Sequence, residues 1–131
     1  MTLDPFNFYT TPGIRFGNGQ AKDSCKEIFK QLGSRILFIT DKGLMSLGLT
    51  KPTIEELKKM GSVEVFDDVE ADPSKKTLLK AIDIGKKFKA TGVIGFGGGS
   101  SMDVAKLSAL ILGSNEDLEK AWGVANAKGP R

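Results

Sequence analysis

The chain has 131 residues, of which 40% are hydrophobic and 27% charged, and these values are typical of one soluble globular domain. Its 19 basic and 16 acidic residues leave a net charge of +3, and because the lysines are spread over several segments, a nucleic-acid-binding surface is not expected. The sequence has no histidine, the commonest metal ligand and general base, and it shows no signal peptide or membrane-spanning run, so we expect a cytoplasmic protein that does not enter a membrane.

The first predicted helix runs from Gln20 to Leu32, and Gly33 ends it. Its inward face is apolar at helical spacing: Ala21, Cys25, Ile28, Phe29 and Leu32. Cys25 is the single cysteine, so it cannot form an internal disulfide, and its position predicts a reduced, packed thiol. Before this helix, Ile14 to Phe16 is predicted as an edge strand, because Pro12 cannot donate to a sheet ladder.

Strands and helices then alternate along the chain. The predicted strands are short and apolar: Arg35–Thr40, Val63–Phe66 and Gly92–Phe96. A helix follows each strand, and a further short one is predicted near the end: Pro52–Met60, about 74–89, Ser100–Leu112 and Asn115–Trp122. Thr53 and Glu56 have the spacing of a capping box in the helix that contains them. This order predicts a single α/β domain, a Rossmann-like three-layer fold with a parallel sheet, helices on both faces and an N-terminal edge strand.

Three consecutive glycines separate the last strand from its helix, in the segment GVIGFGGGSSMDVAKL at residues 92–107. Gly97, Gly98 and Gly99 lead into a helix in which Ser100 and Asp103 have capping-box spacing. First-turn amides and the helix dipole favour an anion such as a pyrophosphate, which bare backbone lets approach closely. The alternative is a tight strand-to-helix turn without a ligand, for which glycine is also usual. The spacing differs from that of a P-loop and from the usual dinucleotide fingerprint.

The helix after the glycines is apolar in nearly every direction. Between Ser100 and Leu112 the charged residues are Asp103 and Lys106 alone. A sheet covers only one face of such a helix, so another domain or subunit is expected to cover the rest. A homo-oligomer is therefore expected.

Acidic residues follow two of the predicted strands. Asp41 comes directly after Arg35–Thr40, where it is either the N-cap of a helix or an acceptor for an adenosine ribose that repels a 2′-phosphate and so favours NAD over NADP. If the first and third strands are neighbours, Asp41 and the glycine loop face one groove beyond their carboxyl ends. Asp72 and Ser74 are interpreted as a turn and a cap, with ligand contact as the lesser alternative.

Several strings, in order and at similar spacing, resemble the N-terminal nucleotide-binding domain of the iron-containing (group III) alcohol dehydrogenases. These are FYTTPGIRFGNGQ, ILFITDKGL, ADPS and above all GFGGGSSMDVAK, and the likeness extends from about Phe8 onward. It implies that Gly97, Gly98, Gly99 and Ser100 bind the pyrophosphate of the cofactor and that Asp41 binds its ribose. Asp72 and Asp103 are also predicted to contact the cofactor. At the position of Asp72 the family often has Pro-Asn-Pro, where this chain has Ala71, Asp72 and Pro73.

The resemblance further implies an enzyme that transfers hydride between a small alcohol or aldehyde and NAD, with NADP less expected. Its iron or zinc would be held by an Asp and three His of a C-terminal helical domain. That domain is absent here, so we expect a fragment of about the first third of such an enzyme, inactive alone, whose unpaired sheet edge beside Gly92–Phe96 favours self-association.

Other functions stay open. Glycerol dehydrogenase-like, maleylacetate reductase-like and dehydroquinate synthase-like enzymes carry the same domain. A stand-alone nucleotide-binding or interaction module without catalysis is an alternative from another class. A flavodoxin-like signalling domain is disfavoured, since Asp41, Asp67 and Asp68 are scattered along the sequence.

Overall fold

A three-stranded parallel sheet lies at the centre of the computed structural model, which describes residues 10–121. Its strands are β1 (Arg35–Ile39), β2 (Ser62–Phe66) and β3 (Gly92–Gly95), in the order β2-β1-β3. In the register, Ile36 of β1 lies opposite Val63 on one side and Gly92 on the other. The Phe96 amide donates to the Ile39 carbonyl at 2.8 Å, so strand pairing continues to the edge of the glycine loop. The predicted parallel α/β arrangement is confirmed.

Helices cover both faces of this sheet. The helices of the described part of the chain are α1 (Gln20–Asp23), α2 (Cys25–Leu32), α3 (Lys42–Ser46), α4 (Lys51–Lys58), α5 (Lys75–Phe88) and α6 (Gly99–Ser114), followed by a 3-10 helix at Leu118–Lys120. No helix among residues 10–121 is long and apolar enough to span a membrane.

Side chains alternate between the two faces because successive residues of a strand point in opposite directions. Leu37 and Ile39 pack with α5 and α6, whereas Phe38 packs with Cys25, Ile54 and Leu57 of α2 and α4. Cys25 is fully buried, and this burial, with a smaller contribution from nearby acidic residues, raises the pKa of its thiol. The predicted packed, free thiol is confirmed.

The predicted edge strand at Ile14–Phe16 is wrong. Residues 13–16 have no strand partner in the described part of the chain, and the side chains of Ile14 and Phe16 are 85% and 100% exposed. The segment is instead tied to the helical layer by an ion pair between Arg15 and Glu27 of α2. The first helix also differs, since it is divided at Ser24 into α1 and α2.

Two other local predictions need correction. The capping box at Thr53 and Glu56 does not form, because α4 begins earlier, at Lys51, and Thr53 is buried inside it. Asn115 ends α6 in the left-handed region, so the predicted last helix is reduced to the 3-10 turn that buries Leu118. Trp122 lies outside the described residues.

Ser74 and Glu70 together fix the start of α5. The Ser74 hydroxyl accepts from the Thr77 amide at 3.2 Å, which confirms the predicted cap. Glu70 accepts from the Ser74 amide at 2.9 Å and from the Thr77 hydroxyl, and these bonds lower the pKa of Glu70 to about 2. Because the ordinary pKa of this carboxyl is 4.5, its stabilising effect is present above about pH 4.5 and is lost as the pH falls towards 2.

Glu70→Gln is therefore expected to lower stability at neutral pH and to flatten the acid loss of stability between about pH 4.5 and about pH 2. The urea midpoint, measured across this range, checks the effect. Glu64→Gln, an exposed change on β2, is the matched control and should leave the acid profile of the protein unchanged. Superimposable profiles for Glu70→Gln and the unsubstituted protein would contradict the role given to Glu70.

Candidate nucleotide-binding groove

A groove of about 420 Å³ lies beyond the carboxyl ends of β1 and β3, with the β2–α5 loop on its other side. Its lining comes from the segments that follow the three strands, both loop residues and the first turns of α3 and α6: Asp41, Lys42, Gly43, Val69, Glu70, Ala71, Gly98, Gly99, Ser100 and Ser101. Carboxyl ends of parallel strands meet at one sheet edge, and ligands bind there in open α/β folds. The structure thus brings Asp41, Gly98, Gly99 and Ser100 together, as the sequence predicts.

Gly97 is required by the protein itself. Its φ of +141° lies in a region that side-chain-bearing residues rarely adopt. A Cβ at this position would also lie 2.9 Å from Leu44 Cδ1 and 3.2 Å from Ser101 Oγ. Backbone conformation and packing therefore explain this glycine without a ligand.

Gly98 and Gly99 have no such internal reason. Gly98 has a φ of −81°, which any residue adopts, and Gly99 is the first residue of α6. A Cβ added to either would meet no atom within 4 Å. Both line the groove, so the volume that the missing side chains leave is open to a bound molecule. Of the two interpretations of the triplet, a turn explains Gly97, and a ligand gives a reason for the other two.

The first turn of α6 lacks a side-chain cap. Gly98 is the N-cap and has no side chain to accept from the first-turn amides, and no other side chain among residues 10–121 does so. The predicted capping box is wrong, because α6 begins at Gly99, which puts Ser100 inside the helix, while Asp103 pairs at 3.9 Å with Lys106. The first backbone bond that closes the turn runs from Met102 N to Gly98 O at 3.1 Å. The preceding amides, at the positive end of the helix dipole, have the arrangement that binds anions.

Asp41 caps a helix, as one of its two interpretations predicts, and it also lines the groove. Its Oδ1 accepts from the Leu44 amide at 2.9 Å, so Asp41 is the N-cap of α3. Its Oδ2 points towards the glycine loop, at 3.4 Å from the Cβ position of Gly97. One carboxylate oxygen is used by the helix, and the second is available on the side of the loop.

Asp72 and Asp103 do not line this groove. Both belong to a second groove of about 610 Å³ between α5, α6 and the 3-10 helix, which is lined mainly by apolar side chains such as Leu107 and Leu110. Asp72 is exposed with a φ of +49°, the turn conformation that the sequence predicts. The sheet and α5 leave one flank of α6 uncovered, and Met102 on this flank is 44% exposed. Its covering by another domain or subunit stays a prediction.

A charged network at the groove mouth is absent from the sequence prediction. The Lys42 ammonium donates to Asp68, which also accepts from Lys80 of α5 at 2.6 Å. These hydrogen bonds lower the pKa of Asp68 to about 2, and the bond from Lys42 contributes most. Asp41 and Asp68, scattered in sequence, form an isolated β-bridge, which the parallel pairing of β1 and β2 brings about. The position of Lys42 next to Asp41, close to a strand end, is the signal that could have identified it.

Metal ligands are a separate question. Among residues 10–121 no group of three or more His, Cys, Asp or Glu side chains could hold a metal ion. The described residues therefore do not fit an iron or zinc centre.

Comparison with known proteins assigns the family. The family model for iron-containing alcohol dehydrogenase matches residues 11–130. Sulfoacetaldehyde reductase of Bilophila wadsworthia is 32% identical over 91% of this chain and 31% of its own length, and choline dehydrogenase of Bacillus subtilis is 34% identical over 93% and 32%. The crystal structure of sulfoacetaldehyde reductase from Bifidobacterium kashiwanohense in complex with NAD+ superposes with a TM-score of 0.73 at 28% identity, covering 93% of this chain and 32% of that one.

The chain spans about a third of the length of these two curated relatives. The match nevertheless includes nearly all of its own residues, and the solved relative shares its α/β fold. The groove beyond β1 and β3, with its glycine loop, lies within the matched range. The chain belongs to the iron-containing alcohol dehydrogenase family.

Proposed function

We propose that this chain binds the ADP part of NAD in the groove beyond β1 and β3, as the nucleotide-binding domain of an oxidoreductase that acts on a small alcohol or aldehyde. The observation that carries the proposal is the open space at Gly98 and Gly99, which neither backbone conformation nor packing explains. Two relatives have names that state an aldehyde reductase and an alcohol-type dehydrogenase activity, and a third was solved with NAD+.

The pyrophosphate would lie against Gly97–Ser100. The uncapped amides of the first turn of α6 donate to its oxygens, and the dipole of a 16-residue helix favours its negative charge. Absent side chains at Gly98 and Gly99 let the oxygens reach hydrogen-bonding distance of the backbone. These interactions bind and orient the cofactor but perform no chemistry.

The adenosine ribose would lie beside Asp41. Oδ2 can accept from the ribose hydroxyls while Oδ1 continues to cap α3, so binding does not cost the helix its cap. A 2′-phosphate at the same position would bring negative charge against this carboxylate, which favours NAD over NADP. Contacts from Asp72 and Asp103 stay predictions, and their position in the second groove supports them less than the first groove supports Asp41.

The reaction itself needs groups beyond the described residues. NAD accepts or donates the hydride when bound. A divalent metal, iron or zinc, would be held elsewhere in the protein, because residues 10–121 offer no ligand cluster for it. We further propose that the whole enzyme is a cytoplasmic homo-oligomer and that this chain has no activity without the remainder of the protein.

Calorimetric titration tests the proposal with three probes: NAD+, ADP-ribose and adenosine. NAD+ and ADP-ribose should bind with similar affinity, and adenosine at least tenfold more weakly, because it lacks the phosphates that the amides of α6 bind. Equal binding of adenosine and ADP-ribose, or no binding of either, would contradict the proposal. Hydride transfer to NAD+ from a small alcohol, by this chain or by any longer protein that contains it, separates the enzyme from a stand-alone binding module.

Asp41→Asn is expected to weaken NAD+ binding about fivefold to tenfold and to reduce the discrimination against NADP+. The amide oxygen of Asn retains the cap on the Leu44 amide, so the change removes charge without removing the α3 N-cap. Titrations with both cofactors measure the effect, and Asp83→Asn, which neutralises an exposed carboxylate of α5 outside the groove, is the control. Unchanged affinity for both cofactors would exclude Asp41 from the site.

A further inference from the structure

The groove contains a cation that is already engaged. Among the described residues that line it, Lys42 is the one positively charged side chain, and it directly follows Asp41. Its ammonium donates to Asp68, which lies on the loop after β2 and does not line the groove itself. A lysine beside the ribose site is the residue type that would attract a 2′-phosphate, so its engagement by Asp68 bears on cofactor choice.

The carboxylate of Asp68 is held in place from two directions. Its backbone forms the β-bridge with Asp41, which fixes the two loops against each other at the groove mouth. Lys80 of α5 donates to Oδ2 at 2.6 Å, while Lys42 uses Oδ1. Both carboxylate oxygens therefore face a cation, and Lys42 is drawn to the β2–α5 loop.

The balance of charge at the mouth agrees with this arrangement. Glu70, which lines the groove, is committed to the start of α5 and accepts from Ser74 and Thr77. Asp41, Asp68 and Glu70 carry three negative charges against the two positive charges of Lys42 and Lys80. A 2′-phosphate beside Asp41, away from the amides of α6, meets this net negative charge, and the carboxylate of Asp68 supplies part of it.

We propose that Asp68 is a positioning residue for cofactor selection: by engaging Lys42, it denies a 2′-phosphate the one cation that the described residues place in the groove, and so strengthens the preference for NAD over NADP. This inference rests on the proposed function, because it places the adenosine ribose beside Asp41. Asp68 itself touches neither ribose nor phosphate and acts through Lys42. Discrimination would then come from two sources, repulsion by Asp41 and the engagement of Lys42.

The test compares ADP-ribose with 2′-phospho-ADP-ribose, which differ only in the phosphate at issue. Asp68→Asn should tighten binding of 2′-phospho-ADP-ribose roughly tenfold and leave ADP-ribose within about twofold. The gain should shrink in high salt, since it comes from a partly exposed charge. Asp83→Asn, which neutralises a carboxylate of α5 that pairs with Lys87 at 2.7 Å, is the matched control and should change neither affinity.

A double variant identifies the cation. Adding Lys42→Met to Asp68→Asn should cancel the gain in affinity for 2′-phospho-ADP-ribose, because the remaining lysine, Lys80, does not line the groove. The inference would be overturned if the gain persisted without Lys42, or if Asp68→Asn left the ratio of the two affinities unchanged. The proposed function would survive either result as long as the protein still binds ADP-ribose. Failure of the unsubstituted protein to bind ADP-ribose would overturn both.

Discussion

Gly98→Val is expected to weaken ADP-ribose binding at least a hundredfold. The free energy of unfolding should fall by no more than about 1 kcal/mol, because Gly98 is the N-cap of α6 and valine caps a helix less well than glycine. The branched side chain would fill the space that a pyrophosphate needs beside the first turn of α6. Loss of two backbone hydrogen bonds to a charged group is worth about 3 kcal/mol or more, which corresponds to the expected factor. The backbone at Gly98 has φ −81° and ψ −170°, which valine adopts, and its Cβ would contact no protein atom within 4 Å.

Gly97→Ala is the matched comparison, one residue earlier in the same loop. Its φ of +141° and the 2.9 Å approach to Leu44 Cδ1 predict a loss of stability of about 1–3 kcal/mol. Calorimetric titration and urea unfolding of both variants separate the two roles. Normal ADP-ribose binding by a folded Gly98→Val protein would show that the space at Gly98 is not a ligand site.

Phe38→Ala is expected to have the largest effect on stability, a loss of about 3–5 kcal/mol in the free energy of unfolding. Phe38 is fully buried in the central strand and packs among Cys25, Ile54 and Leu57. Its ring lies 5.5 Å from that of Phe96, which directly precedes the glycine loop, so the substitution would also loosen the end of β3. Urea unfolding measures the loss.

Phe16→Ala supplies the control for that experiment. The same atoms are removed from a side chain that is 100% exposed, so a change below about 0.5 kcal/mol is expected. If Phe38→Ala were no more destabilising than Phe16→Ala, the assignment of the core on the α2 and α4 face of the sheet would be wrong.

The sheet and its layers could be predicted because their signals are local and repeated. Short apolar strands alternate with amphipathic helices, and this alternation leaves a parallel sheet with two covered faces as the consistent arrangement. The position of the groove follows from the same rule, since the loops after β1 and β3 leave one edge. The sequence alone therefore predicts that Asp41 and the glycine loop lie close together.

Other features depend on information that periodicity does not contain. Ile14–Phe16 has the apolar alternation of a strand, but a strand also needs a hydrogen-bonded neighbour, and none lies beside it in the described part of the chain. The capping boxes predicted at Thr53 and Ser100 do not form, because each helix begins up to one turn earlier than predicted. Helix α4 begins at Lys51, with Pro52 in its first turn, and α6 begins after the N-cap Gly98.

Long-range polar pairs are the least accessible from sequence. Lys42 and Asp68 are 26 positions apart, and only the register between β1 and β2 brings their loops together. The different roles of Gly97 and Gly98 could not be predicted from the sequence either. Both are glycine, and they differ only in their backbone dihedral angles and in the atoms around the Cβ position.

Amide NMR shifts during titration with ADP-ribose test most directly whether the start of α6 binds the cofactor pyrophosphate. We expect the largest shift changes at the amides of Gly98, Gly99, Ser100 and Ser101. A smaller change is expected at the amide of Leu44, which donates to Asp41, and none at Leu107 or Leu110 of the second groove. Changes concentrated at Leu107 and Leu110, with the amides of residues 98–101 unmoved at saturation, would contradict the proposed site.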